Sequence, residues 1–190
     1  RYIRRQRQMC IRDSDRAVKA AKDAFSTFSM YSKQERLSLL KSLRKVTEKR
    51  FDELAYAMTL EMGAPITMSK EAQADAAIGH LDGFINALEK HQEHKKLENG
   101  DEIVFEPIGV CGLITPWNWP INQIALKVIP SLATGCTCIL KPSEHTPVSA
   151  MIYAEIIHEA GYPKGVFNLV HGDGPEAVSY THLRAHETSQ

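Results

Sequence analysis

At 190 residues, 43% hydrophobic and 24% charged, the chain can bury one sizeable core, and its composition excludes the disordered, collagen-like and disulfide mini-protein classes. Its 23 basic and 23 acidic side chains cancel, which excludes a global field drawing it to nucleic acid or to an anionic membrane and leaves small molecules as the expected partners. The most apolar stretch, residues 124–140, is broken by Lys127, Pro130 and Gly135, so no membrane span is expected, and residues 1–16 lack the apolar region of a secretory signal.

Taken in chain order, residues 1–14 show no amphipathic period, and residues 178–190 abandon the preceding pattern in mid-motif. Neither end is expected to fold. Both resemble translated adapter sequence of non-native origin, with a natural disordered arm at each end as the alternative. An arginine-rich nucleic-acid arm is disfavoured because the arginines lack interleaved aromatics. From residue 15 to about 96 the period is helical: Val18, Ala21, Phe25 and Phe28 mark one stripe, and Leu37, Leu40, Leu43 and Val46 mark a second. Ser32 and Glu35 form a capping box ahead of the second helix. A third helix stops at Gly63 with Pro65 beyond it. A fourth runs from about Ser69, with Ile78, Leu81, Phe84, Ile85 and Leu88 on one face, into a polar end over residues 89–96. His91 and His94 stand three apart on that end, weak support for a metal site because no third ligand is evident.

After Gly100 the pattern changes. Ile103 to Phe105 reads as a short strand, residues 107–109 as a break, and residues 110–115 as a buried strand. Pro120 suits the first turn of the next helix and Gly135 lies near its end. Residues 136–140 form the following strand, residues 147–160 a helix with Thr146 as its cap, and residues 166–170 a third strand. Such alternation predicts an α/β fold: a helical lead-in followed by a doubly wound parallel sheet with helices on both faces, Rossmann-like and truncated. Ligands bind such sheets outside the carboxyl ends of the strands. Those ends carry the most unusual segments of the chain: Thr115 to Pro120, Lys141 to Glu144, and His171 to Pro175. No G-x-G-x-x-G follows the first strand, which disfavours an ordinary Rossmann dehydrogenase.

Residues 106–177 carry PWNWP, KPSE, GYPKGVFNLV and GDGP in that order. The segment resembles the nucleotide-binding part of the aldehyde dehydrogenase superfamily, and the lead-in TLEMGAP at residues 59–65 is similar to it as well. The resemblance covers roughly residues 15–177, with residues 1–14 as a leader and 178–190 as a tail outside it. It implies NAD-dependent oxidation of an aldehyde to a carboxylate through a cysteine thioester, by a chain that holds part of the nucleotide-binding domain. A non-catalytic nucleotide-binding or structural module is the alternative reading. A helix-rich interaction protein is disfavoured by the strand motifs.

The site residues follow from the resemblance one by one. Asn118, alone a turn residue or cap, matches the family's oxyanion donor, a contact typically worth about 2.7 to 4 kcal/mol. Ile114, Thr115, Pro116 and Trp117 would lie with Asn118 along the cofactor, though Trp117 alone reads equally as a core aromatic. Lys141 and Glu144 would bind the hydroxyls of the adenosine ribose with Ser143 alongside, and the carboxylate favours NAD over NADP. Gly174 and Pro175 match the turn beside the adenine.

Four cysteines, Cys10, Cys111, Cys136 and Cys138, lack disulfide spacing and fit a reducing, cytoplasmic setting. Cys136 and Cys138 lie on one strand face. Neither they nor Cys111 match the family nucleophile, so all three read as core residues. That nucleophile, the general base and the glycine-serine-threonine loop come later in the family, which implies a chain inactive by itself. Residues of about 97–107 resemble part of the oligomerisation arm and imply a homodimer or homotetramer when complete.

Overall fold

The computed structural model describes residues 2–172, with side chains described from Arg12 onward. Helix α1 spans Tyr2–Phe28. The expectation that residues 1–14 form no folded element is corrected for the backbone of residues 2–14. Arginine, glutamine and methionine are good helix formers, and a helix nucleated downstream extends through them without needing an apolar face. Ala21 and Phe28 of the first stripe are fully buried, while Val18 and Phe25 are partly so.

Helix α2 (Lys33–Lys49) opens on the expected capping box: the Ser32 N–H donates to Glu35 at 2.7 Å and the Glu35 N–H donates to Ser32 Oγ at 3.3 Å. Helix α3 (Phe51–Met62) ends at Gly63, whose φ of 73° is the left-handed conformation that glycine adopts without steric cost. Helix α4 (Ile66–Met68) passes through a π-helical turn at Ser69–Ala74 into α5 (Asp75–Lys90). This helix therefore starts three residues earlier than expected, because Pro65 already holds the φ of −54° from which a helix can open.

The expected polar helix end over residues 89–96 holds only as far as Lys90. His91 turns to extended geometry at φ −66° and ψ 133°, and His94–Lys96 becomes strand β1, paired antiparallel with β2 (Glu102–Val104). Gly100, at φ 92°, makes the turn possible, and the hairpin closes with Leu97 N–H to Asp101 O at 2.8 Å and Phe105 N–H to Glu93 O at 2.9 Å. His91 and His94 thus lie on different elements, and no group of three or more metal-type side chains forms among the described residues.

Strands β3 (Val110–Ile114), β4 (Thr137–Lys141) and β5 (Phe167–Leu169) make a parallel sheet in the order β3-β4-β5, joined by α6 (Pro120–Ala133) and α7 (Pro147–Glu159). Central β4 is almost wholly buried. The expected burial of β3 is corrected: it stands at the sheet edge with Gly112 and Ile114 exposed, since an edge strand lacks a neighbour on one side. Cys138 and Leu140 join the core with Ile124, Val128 and Ile156 of α6 and α7, outside which α2, α3 and α5 add Leu40, Leu54 and Leu81. The opposite face is covered by α1, where Thr137 Oγ1 donates to Ala21 O at 3.0 Å. The doubly wound arrangement follows from these two coverings. No described helix is long and apolar enough to cross a membrane.

Candidate functional site

Two adjacent strand ends build the site. Register pairs Ile114 with Lys141, and the Thr115 N–H donates to Lys141 O at 3.2 Å, so the segment leaving β3 and the segment leaving β4 emerge side by side. Thr115 is buried and its hydroxyl finds no protein partner. Beyond it the chain surfaces: Pro116 and Asn118 are exposed, and Trp117 is 51% exposed. The reading of Trp117 as a core aromatic does not hold. A large indole left half in water at a strand's carboxyl end is a surface on which a flat ligand can lie.

Trp119 closes this segment at φ 55° and ψ 54°, the one non-glycine residue of positive φ among the described residues. Left-handed backbone at a non-glycine residue costs about 1 to 2 kcal/mol. Such strain gathers at ligand sites, where the fold must place neighbouring groups regardless of local preference. Here it swings the chain from β3 into α6, presenting Asn118 two residues before Pro120, and the first turn of α6 carries no side-chain cap. The unsatisfied amides of that turn put partial positive charge beside Asn118.

The β4 end supplies the charges. Lys141 is only 8% exposed, and its ammonium donates to Glu144 Oε2 at 3.5 Å, a long bond that leaves donors for a further acceptor. Ser143 is buried, and its hydroxyl accepts from the His145 N–H at 3.3 Å. Glu144 is exposed, and its own backbone N–H, followed by attraction to Lys141, holds its carboxyl below the ordinary 4.5, so it is ionised at neutral pH. The structure therefore brings Ile114 and Thr115 against Lys141, and the segments that carry Pro116, Trp117 and Asn118 on one side and Ser143 and Glu144 on the other leave from these two adjacent strand ends. Gly174 and Pro175 lie outside the described residues. A buried ammonium with spare donors, an unpartnered threonine hydroxyl, an ionised carboxylate and exposed apolar side chains suit a ligand with both hydroxyls and a flat ring.

Cys111, Cys136 and Cys138 are free thiols, the last two buried. Cys136 sits just before the amino end of β4, about 16 Å from Lys141 at the rise of a strand, so it does not face the site. The neighbouring Cys111 thiol draws it well below the ordinary thiol value and is itself pushed up in turn, and Thr134 Oγ1 lies 3.6 Å from Cys136 Sγ. Burial pushes Cys138 up.

A cavity between α2, α5, α6 and the hairpin, lined by Arg36, Phe84, His91, Phe105 and Thr134, is at the far end of α6, about 20 Å from Asn118 along the helix. Its buried guanidinium is already held by Glu93 and by Ala133 O at 2.8 Å. One residue near the site escaped the sequence reading. Thr146, the expected cap of α7, makes no cap bond, and the carboxylate of Glu61 on α3 takes its place. Glu61 lies within the quoted TLEMGAP, but nothing local to it signals a partner 87 residues away.

The model of the aldehyde dehydrogenase family matches residues 2–187. Among curated relatives, the chain is similar to a 3-succinoylsemialdehyde-pyridine dehydrogenase from a Pseudomonas species, 51% identical over 162 residues, covering 85% of this chain and 34% of the relative. Among solved structures it is similar to an aldehyde dehydrogenase from Bartonella henselae, with TM-score 0.87, 47% identity and coverage of 90% of this chain and 36% of that one. A mutant of aldehyde dehydrogenase C from Pseudomonas syringae, solved with NAD+ and octanal, gives TM-score 0.85 and 46% identity over 87% of this chain and 34% of that one. The chain spans about a third of the length of the relatives it matches.

Proposed function

The chain belongs to the aldehyde dehydrogenase family, and from that premise we propose that it forms part of the nucleotide-binding domain of an NAD-dependent enzyme oxidising an aldehyde to a carboxylate. The carrying observation is the pairing of Ile114 with Lys141, which sets the Asn118 segment beside the Lys141 to Glu144 segment. Lys141 donates to the hydroxyls of the adenosine ribose and Glu144 accepts from them, with Ser143 holding the turn between. Ile114, Thr115, Pro116 and Trp117 lie along the cofactor toward its nicotinamide half, and Gly174 and Pro175 turn beside the adenine. When bound, NAD supplies the hydride acceptor. Asn118 donates its amide to the oxyanion that forms on the substrate carbon, aided by the positive first turn of α6.

The nucleophile and general base lie, in this reading, in sequence beyond Ala177, so the 190-residue chain does not turn over aldehyde by itself. The hairpin leaves Ile103, Val104 and Phe105 exposed, in keeping with an arm that pairs in a homodimer or homotetramer. Free thiols are in keeping with a cytoplasmic setting. The test is NADH formation from a panel of aldehydes by the protein encoded in the uninterrupted reading frame around this segment. Asn118→Ala should lower its kcat by about 10²- to 10³-fold. Steady NADH formation by the 190-residue chain alone, or an Asn118→Ala enzyme of undiminished kcat, would overturn the assignment.

A further inference from the structure

Helix α7 begins six residues after β4 ends, and the loop between them carries Ser143 and Glu144. That loop is fixed at its start by the sheet, through the Ile114–Lys141 register and the Thr115 N–H bond to Lys141 O. Its other end is fixed from outside. Glu61 Oε1 accepts the Val148 N–H at 2.5 Å, and Glu61 Oε2 accepts the Ser149 N–H at 2.8 Å and the Ser149 hydroxyl at 2.5 Å. These are the second and third amides of α7, the pair that a side chain at the cap position normally satisfies. Thr146, at that position, has φ −135° and ψ 53°, makes no cap bond, and keeps its hydroxyl buried without a protein partner. A carboxylate delivered by another helix, seated against the positive end of α7, therefore decides where α7 starts.

We propose that Glu61 is a positioning residue for nucleotide recognition: by gripping the first turn of α7 it holds the 142–147 loop so that Glu144 faces the ribose. The inference rests on the reading of Lys141 and Glu144 as ribose contacts. Losing the grip frees α7 to start elsewhere within its first turn, and the exposed Glu144, held by Lys141, by its own backbone and by His145 of the same loop at 3.9 Å, moves with the loop. The consequence is a loss of discrimination between NAD and NADP rather than a uniform loss of binding.

The experiment uses the protein encoded by the uninterrupted frame, comparing kcat/KM for NAD and NADP with amide hydrogen exchange at Val148 and Ser149. Glu61→Ala should expose both amides to exchange and narrow the NAD preference about fivefold, the scale of one cap interaction, while Glu61→Gln, which keeps one acceptor oxygen, loses less. Thr146→Asp on the Glu61→Ala background supplies a local cap and should restore both readouts. A tether that merely joined α3 to α7 would not be rescued in this way. On a Glu144→Gln background Glu61→Ala should leave the ratio unchanged, since the group it positions is gone. If Glu144→Gln leaves the ratio unaltered, the ribose reading itself fails and takes the inference with it. If Glu144→Gln shifts the ratio but Glu61→Ala does not, although the amides exchange faster, only the positioning role is overturned.

Discussion

Gly165, the second glycine of the GYPKG turn before β5, has φ 86°, and a Cβ built on it would stand 2.6 Å from Ala20 O and 3.1 Å from Ala24 Cβ of α1. Gly161, the first, has an almost equal φ of 92°, yet a Cβ there meets nothing within 4 Å. Alanine at either position incurs the left-handed penalty of about 1 to 2 kcal/mol, offset by up to ~1 kcal/mol from a stiffer unfolded chain. Only Gly165→Ala adds a collision with backbone, which forces α1 away from the sheet at a further cost of about 1 to 3 kcal/mol. We expect Gly161→Ala to lose about 1 kcal/mol and Gly165→Ala about 2 to 4 kcal/mol. At roughly 2 to 4 °C per kcal/mol for a chain of this size, thermal melts of the two variants should be separated by several degrees. Hydrogen exchange should place the extra opening in α1. Equal melting points for the two variants would refute the close packing of α1 on the β5 side of the sheet.

Glu144→Gln should narrow the NAD over NADP preference of the complete enzyme by about tenfold, since it removes a charged acceptor from the 2′-hydroxyl and its repulsion of a 2′-phosphate, whereas Lys141→Ala should weaken both cofactors; a ratio of kcat/KM unmoved in Glu144→Gln would withdraw that contact. Arg50 bridges Glu53 at 2.7 Å, Glu155 at 2.7 Å and Glu159 at 2.9 Å, tying the α2–α3 junction to α7. Arg50→Met keeps the apolar stem, and with partners this exposed it should cost only about 1 to 2 kcal/mol at neutral pH. The hydrogen bond from Arg50 holds the Glu53 carboxyl below its ordinary 4.5, so its contribution is complete above that value and is lost as pH falls through the lowered one. The gap in melting temperature between wild type and Arg50→Met should therefore close below about pH 4.5, and a gap unchanged by acid would show that charge is not its cause. With Cys136 held low by the Cys111 thiol and Cys138 pushed up by burial, iodoacetamide at neutral pH should label Cys136 ahead of Cys138, and Cys111→Ala should narrow that difference; peptide mass spectrometry showing Cys138 labelled before Cys136 would contradict the arrangement.

Local patterns were legible from the sequence wherever one element decides its own shape. The Leu37, Leu40 and Leu43 stripe, the Ser32–Glu35 box and the Gly63 stop each involve residues within one or two helical turns, so the amino-acid order suffices to read them. Strand–helix alternation after Gly100 foretold the parallel sheet, and the rule that ligands sit at strand carboxyl ends pointed to Thr115 through Asn118 and Lys141 through Glu144. Tertiary structure decided the rest. His94–Lys96 has a polar composition that belongs as well to a helix end, and becomes a strand only because β2 satisfies its backbone. Thr146 has the chemistry of a cap, but Glu61 reaches the same amides from 87 residues away. β3 reads as a buried run but stands at an edge, and the value of Gly165 appears only where α1 crosses β5. A periodic pattern reports which face of an element is apolar. It carries no information on which distant group will arrive to satisfy a particular amide, charge or gap, because that depends on the path of the whole chain.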